Sequence, residues 1–488
     1  MDALRRTPVP PQELLVEGAW QAGEGAPLDV ISPIDGSRLT SIADATPAEV
    51  DRAVASARAA FEDRRWAGLA PAARKKIMLK WAELIEREAL ALTVLGVRDN
   101  GTEFSMAFKA EAGSAAATIR YYAEALDKLY GEIAPTADTH LGLIHREPVG
   151  VVGAIVPWNF PLMIGAWKLG PAIAAGNSVV LKPAETASLS LLRLAELALE
   201  AGLPAGVLNV VTGRGAVAGE ALALSPDVDV LVFTGSGAVG RRLLEYSARS
   251  NLKRVYLELG GKSPSLVFDD VKDVAQAAKV TANGMFRNSG QVCVACTRLL
   301  VQRGIHDAFV AELAKVAGAM KVGDPLDQTS QVGAINSERQ LHQSLGFVET
   351  AQQEGASLYR GGRRILEETG GYYMEPTIFT DVGAGDTLAQ REVFGPVLAV
   401  TVFDTEEEAV AIANGTEYGL SAGVWTSDLS RAHRMVRAVR AGVVHVNTYG
   451  GSDLTVPLGG VKQSGNGHDK SLHAFDKYVD LKTAWIQL

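Results

Sequence analysis

The chain reads as an α/β protein built on mostly parallel sheets. Two features point there. Short apolar, β-branched runs alternate with helical stretches between residues 149 and 259, and a second alternating block follows over residues 265–447. Length agrees, since 488 residues at roughly 150 per domain suggest about three domains. In order, residues 46–61 and 70–97 read as amphipathic helices, with Pro47 and Pro71 near their first turns. Residues 149–156 and 178–181 read as buried strands. Residues 188–201 form a helix that stops at Gly202-Leu203-Pro204. Residues 207–211 and 229–233 are strands, 239–248 a helix and 254–259 a strand. The tail, 478–488, is one more strand.

Composition narrows the function classes. Apolar residues are 47% and charged residues 21%, which excludes a disordered or fibrous chain. The net charge is −9 and no basic block stands out, so no nucleic-acid partner is expected. Two cysteines exclude a disulfide scaffold and a four-thiolate zinc site, and no metal is expected. The first twenty residues lack an apolar core, so no secretory signal is read there and a cytoplasmic enzyme is the expectation. Residues 150–181 carry only Lys168 as a charge, yet Pro157, Asn159, Pro161, Gly170, Pro171 and Gly176 interrupt them. Two buried strands and an intervening helix fit that pattern better than a membrane span.

Three local patterns carry chemistry. Gly235-Ser236-Gly237-Ala238-Val239-Gly240 follows a strand and opens a helix, the setting of a dinucleotide fingerprint. A phosphate is held at such a helix N-terminus by free N–H groups and the dipole. The ribose acid is ambiguous by spacing alone: Glu258 lies about 20 residues on, and Glu185 in Lys182-Pro183-Ala184-Glu185 also follows a strand. Asn288-Ser289-Gly290-Gln291-Val292-Cys293 puts a thiol just after a glycine turn; a helix starting there would favour the thiolate. Cys293 is a nucleophile or a plain buried thiol on these grounds, and Cys296 a redox partner or chance. Glu258, before Gly260-Gly261, is a base at a cleft or a turn acid. Asn159, in a rigid loop, satisfies its own backbone or donates to an oxyanion.

Taken together, Pro157-Trp158-Asn159-Phe160-Pro161, Phe233-Thr234-Gly235-Ser236, Glu258-Leu259-Gly260-Gly261-Lys262, Gly290-Gln291-Val292-Cys293 and Glu392-Val393-Phe394-Gly395-Pro396 resemble the NAD(P)-dependent aldehyde dehydrogenase superfamily in order and spacing. The resemblance runs from about residue 15 to the C-terminus. The closing stretch, Lys462 to His473, resembles the γ-glutamyl-γ-aminobutyraldehyde dehydrogenases of polyamine catabolism.

That resemblance implies an aldehyde dehydrogenase fold: a Rossmann-like NAD-binding domain (1–127 and 149–260), an α/β catalytic domain (261–460) and a small bridging β element for oligomerisation (128–148 and 470–488). It implies a homodimer or homotetramer. It makes Cys293 the nucleophile, Glu258 the general base, Asn159 the oxyanion donor, and Lys168 with Asp469 a proton-relay pair. Asp469 stands where glutamate is commoner, and His468 where arginine is usual. Lys182 and Glu185 are implied at the adenosine ribose, Ser236 at the pyrophosphate, and Glu392 and Phe394 at the nicotinamide ribose. Val156, Trp158, Gly215, Ala216, Gly219, Phe233, Gly235 and Leu259 complete the implied nucleotide cleft. NAD is preferred, with weaker use of NADP, because the Glu185 carboxylate opposes a 2′-phosphate. Phe160, Trp167, Ser452 and Leu458 would line the substrate tunnel, with Glu111 and Asp453 at its mouth attracting an amine. The implied reaction is oxidation of a small aldehyde, an ω-aminoaldehyde or γ-glutamyl-γ-aminobutyraldehyde, to its acid. Alternatives are a broad-specificity, betaine-aldehyde or semialdehyde dehydrogenase, a CoA-acylating enzyme, and a non-catalytic NAD-binding protein.

Overall fold

The computed structural model describes residues 1–488. Its first sheet has eight strands, five of them parallel: Leu208–Val210, Ser178–Lys182, Val151–Ile155, Val230–Thr234 and Arg254–Glu258, in that spatial order. In chain order this is 3-2-1-4-5, so the direction of winding reverses between Val151–Ile155 and Val230–Thr234. Open α/β sheets bind ligands outside the strand C-termini at such a reversal. The segments leaving there are residues 156–160 and the Gly235-Ser236 turn. Leu14–Val16 and Gly465–Asn466 add antiparallel strands to the two flanks.

These strands form where β-branched runs are buried on both faces, as parallel sheets require. Val151, Val152, Val179, Val180, Val230 and Val232 are all fully buried. The apolar stretch after the first strand is the helix Pro161–Ala175, closed by Gly176 in a left-handed conformation at φ 104°. It packs under the sheet with nearly all its residues buried. The helix expected over 70–97 is two helices, Pro71–Arg87 and Ala89–Asn100, because Glu88 (φ −101°, ψ 12°) leaves helical geometry. Continuous amphipathic spacing hides such a break. Trp66 and Trp81 anchor this layer by donating their indole N–H groups to Ile173 O at 2.7 Å and Leu194 O at 3.0 Å.

A second sheet of seven strands runs Ser357–Arg360, Thr377–Thr380, Val397–Phe403, Arg298–Gln302, Pro264–Val267, Ser421–Trp425 and Val443–Val446. All its pairings are parallel except that of the first strand. A third, antiparallel sheet joins Val479–Gln487, His140–Pro148 and Glu132–Ala134. Ile133, Leu481 and Trp485 are each more than 60% exposed on it. No helix is long and apolar enough to cross a membrane.

Candidate active site

Two cavities meet at one side chain. The first, about 430 Å³, opens at the winding reversal and is lined by Trp158, Asn159, Thr234, Gly235, Ser236, Leu259, Glu392 and Phe394, among others. The second, about 590 Å³, runs between the helix Pro161–Ala175 and the loop 448–458. Its wall includes Phe160, Trp167, Ser452, Leu458 and Lys470. Cys293 is the only residue on both walls.

Cys293 is not at a helix start, which corrects the sequence expectation. Residues 291–297 are irregular and lead into the strand Arg298–Gln302. The thiol is instead pushed up to about 12 by burial and by the carboxylates of Glu392 and Glu258. It rests as a neutral thiol and must lose its proton as it reacts. Cys296 is fully buried, and its Sγ lies 3.4 Å from Thr281 O, the setting of a packed thiol.

Behind Cys293 lies a polar scaffold that the sequence reading did not single out. Asn288 and Ser289 both adopt left-handed backbone, at φ 50° and 52°. Such strain persists only when the surroundings hold it. Here Asn288 N–H donates to Glu103 Oε2 at 3.0 Å, and Thr102 Oγ1 donates to Asn288 Oδ1 at 2.8 Å. Arg287 pairs with Glu103 at 2.9 Å. Gln291 Oε1 accepts from Asn336 N–H at 2.8 Å. The Asn159 amide donates one N–H to Gln291 O at 2.8 Å, which aims a buried side chain beside the thiol segment. An amide nitrogen carries two hydrogens, so the other remains available. Asn288, Ser289 and Gln291 within the thiol motif, and Asn159, were the parts of this scaffold on view in the sequence; Thr102, Glu103 and Asn336 come from distant segments.

Glu258 ends its strand buried, with Oε1 lacking any partner. Burial first, then the nearby Asp469 carboxylate, raises its pKa well above the ordinary carboxylate range; Lys168 and Lys477 oppose this. Lys168 Nζ is 2.5 Å from Asp469 Oδ2, so the shorter acid does reach its partner. Lys477 Nζ sits 2.5 Å from Asp469 Oδ1. All three side chains are almost fully buried. Lys477 was not legible beforehand: it lies in a 3₁₀ turn whose direction depends on packing.

In the nucleotide cleft, Ser236 caps the helix Gly237–Arg249, its hydroxyl accepting from Val239 N–H. Gly235 lies against the Phe233 ring, and Gly240 packs on the Leu259 methyl groups, which a larger residue would have to displace. Glu392 accepts from Gly261 N–H at 3.0 Å and is pushed up to about 7 by burial. Phe394, left-handed at φ 56°, sets its ring edge-on to Trp158 at 5.1 Å. Val156 N–H donates to Lys182 O at 3.1 Å, tying two strand ends together. Lys182 Nζ is 3.6 Å from Glu185 Oε2, and Gly219 lies against the Lys182 stem. Gly215 and Ala216 open the short turn Gly215–Gly219, and Gly215 has open space around it. The buried Thr234 hydroxyl on this wall has no partner. A helix N-terminus, an orphaned hydroxyl and a half-exposed carboxylate beside a lysine fit a dinucleotide.

Two acids expected at the tunnel mouth are engaged with the protein's own backbone. Glu111 is not on the tunnel wall; its Oε2 accepts from Met163 N–H at 2.8 Å and caps the helix Pro161–Ala175. Pro161 has no N–H and Ile164 N–H reaches Phe160 O at 3.0 Å, so Met163 N–H is among the few donors at this buried helix start that need such an acceptor. Asp453 is also off the wall, turned to its own loop, accepting from Thr455 N–H at 2.9 Å and Thr455 Oγ1 at 2.8 Å.

Comparison with known proteins agrees with this geometry. Residues 20–484 match the model of the Aldehyde dehydrogenase family. The chain is 48% identical over 476 residues to the NADP/NAD-dependent aldehyde dehydrogenase PuuC of Escherichia coli, covering 97% of this chain and 95% of that one. It superposes with TM-score 0.97 and 50% identity on an indole-3-acetaldehyde dehydrogenase in complex with NAD+, covering 98% and 97% of the two chains. A γ-glutamyl-γ-aminobutyraldehyde dehydrogenase from Burkholderia cenocepacia gives TM-score 0.96 and 49% identity over 98% and 97%. Two cavities joined at one thiol, in a chain similar to these enzymes over nearly its whole length, lead to one conclusion: the protein belongs to the aldehyde dehydrogenase family, as an NAD(P)-dependent enzyme.

Proposed function

We propose that the protein oxidises its aldehyde to the free acid through a covalent adduct on Cys293, with Glu258 as base. The observation that carries this reading is the position of Cys293 as the sole side chain common to both cavities. A carbonyl entering by the tunnel meets the sulfur on the side opposite the nucleotide cleft.

The thiol gives up its proton as sulfur bonds to the aldehyde carbon. Glu258, with a free Oε1 and an electrostatic influence on the thiol, is the group suited to receive it. The carbonyl π pair moves to oxygen, where the spare Asn159 N–H and the Cys293 backbone N–H stabilise it. Such donors are each worth about 3–4 kcal/mol in transition-state stabilisation. NAD, when bound, supplies the acceptor for the hydride that leaves carbon as the C=O bond re-forms. Lys182 and Glu185 would hold its adenosine ribose, Ser236 with the helix start its pyrophosphate, and Glu392 and Phe394 its nicotinamide ribose. The thioester left on Cys293 is attacked by a water that Glu258 deprotonates; the C–S bond breaks and the thiolate is restored. One aldehyde, one NAD+ and one water become one carboxylate, one NADH and two protons. Lys168 and Asp469 would carry the proton away from Glu258.

The substrate we infer is γ-glutamyl-γ-aminobutyraldehyde. The closing stretch 462–473 and the names of the similar enzymes support it. A bare ω-aminoaldehyde has less support, because no carboxylate lies on the tunnel wall to meet its amine. The three-segment domain reading and an assembly through the small sheet also belong to this proposal. The exposed Leu481 and Trp485 support the latter, since an open strand edge needs a partner.

Glu258→Gln tests the mechanism. Steady-state turnover should fall about 10²-fold or more while a pre-steady-state burst of NADH survives. Unchanged turnover, or a burst lost in proportion to turnover, would remove Glu258 from deacylation. Added CoA should leave the acid as product; an acyl-CoA product would transfer the enzyme to the acylating class.

A further inference from the structure

We propose that Lys470, held by Ser452, reads a carboxylate at the far end of the aldehyde, so that the preferred substrates are aldehydes whose tail carries a carboxylate. This rests on the aldehyde-oxidation reading and specifies its substrate class.

The tunnel wall carries Lys279, Arg287 and Lys470 but neither aspartate nor glutamate. Arg287 is committed to the fully buried Glu103. Lys279 is exposed to water. His445, also on the wall, is held below its ordinary value by burial and by Lys470, so it adds no charge near neutrality. Lys470 is different, because the residue is only 3% exposed. Its ammonium donates to Ser452 O at 3.0 Å and Ser452 Oγ at 2.5 Å, and stands 5.9 Å from the Trp167 ring. It forms no ion pair. Asp453, one residue from its anchor, spends its Oδ1 on Thr455 and reaches Lys470 only through space.

An ammonium has three N–H donors, and two are used here. Burying a cation without a counter-charge is unfavourable unless a ligand supplies one. Both Lys470 and Ser452 line the same cavity as Cys293. An aldehyde whose carbonyl is at the sulfur therefore presents its far end to a wall with a spare cationic donor; Asp453 and Asp469 act on that donor only through space, and neither is on the lining. A tail bearing an ammonium and no carboxylate would meet repulsion instead.

The test compares purified full-length protein, saturated with NAD, on succinate semialdehyde and butanal, matched in carbon count. The wild type should show a higher kcat/KM for the semialdehyde. Lys470→Gln should lower the semialdehyde-to-butanal ratio by about tenfold or more, the size of one hydrogen bond to a charged group. Lys470→Arg should keep most of it. Because Lys470 adjoins Asp469, any disturbance of the proton relay affects both aldehydes alike and cancels in the ratio. Succinate binding to the wild type and to Lys470→Gln, measured by calorimetry, should weaken by a similar factor and needs no turnover. If Lys470→Gln does not fold, Ser452→Ala, which removes one anchor, is read in the same way. An unchanged ratio together with unchanged succinate affinity would overturn the proposal, as would a wild type that prefers 3-aminopropanal to the semialdehyde. A protein that binds succinate through Lys470 but oxidises no aldehyde would sink the oxidation reading instead.

Discussion

Lys477 and Asp469 stand 2.5 Å apart in the interior, using the carboxylate oxygen that Lys168 leaves free. Asp469 thus bridges two buried ammonium groups, and the trio carries one net positive charge beside Glu258. An ionised Glu258 brings the group to neutrality. Without Lys477 the same ionisation would leave an excess negative charge in a low-dielectric interior.

A pH shift follows from that balance. Glu258 must be ionised to activate water, so turnover rises with pH through its pKa, which already lies well above the ordinary carboxylate range. Lys477 opposes the rise, so Lys477→Met removes a charge that favours the carboxylate. The acid limb of the kcat–pH profile should move to higher pH by about one unit, the differential interaction of about 1.4 kcal/mol expected of a nearby charge. The NADH burst should persist, and raising the pH should recover turnover. A profile that drops uniformly at every pH would mean that Lys477 serves folding alone.

The two thiols should separate cleanly. Cys293→Ala should lower NADH formation by about 10⁴-fold or more, as loss of a nucleophile does. Cys296→Ser should change it by no more than about twofold, since Cys296 is fully buried and touches neither cavity. Iodoacetamide should label Cys293 slowly at neutral pH in the free enzyme. The rate should climb with pH toward about 12, where burial and the two carboxylates place the thiol. Peptide mapping by mass spectrometry reads both sites.

Cofactor choice should turn on Glu185. Its side chain is 43% exposed and 3.6 Å from Lys182, so the pair sits where solvent screens it only in part. Replacing it by glutamine removes the charge that opposes a 2′-phosphate and leaves Lys182 to attract it. The NADP-to-NAD ratio of kcat/KM should rise by about tenfold. A ratio unmoved by Glu185→Gln would place discrimination on other residues.

Glu111 should affect stability and not substrate choice. Burial holds its carboxyl up to about 8, against an ordinary value of 4.5. The folded state therefore retains a proton that the unfolded chain releases, so the contribution is complete below about 4.5 and is lost as pH rises through 8. Glu111→Gln keeps an acceptor for Met163 N–H and cannot ionise. Its Tm relative to wild type should improve steadily across that window, as calorimetry would record. Its relative KM values for amine-bearing and plain aldehydes should match those of the wild type.

Much of this was legible from residue order. The strands of the first sheet follow runs such as Val151-Val152 and Val179-Val180, whose β-branched, apolar character permits little besides a buried strand. The Gly235–Gly240 pattern marks a strand-to-helix turn because glycine lets the backbone pack closely against Phe233 and Leu259. Asn159 and Cys293, quoted in separate short motifs, line one cavity, and Glu258 acts electrostatically on the thiol. The break at Glu88 was hidden, since helical spacing continues across it.

Charge placement was decided only by tertiary structure. Sequence put Glu111 and Asp453 at the tunnel mouth and could not distinguish an acid facing a cavity from one capping a helix or closing a turn. Packing turned the first to Met163, a local turn engaged the second with Thr455, and the fold left Lys470 as the buried cation of that wall without an ion pair. The same holds for Lys477, whose ammonium meets Asp469 because a 3₁₀ turn folds eight residues back on themselves. Sequence determined which chemistry was available, because backbone geometry and residue type are local properties. Which charges face one another depends on contacts between distant segments, and local order carries no trace of those.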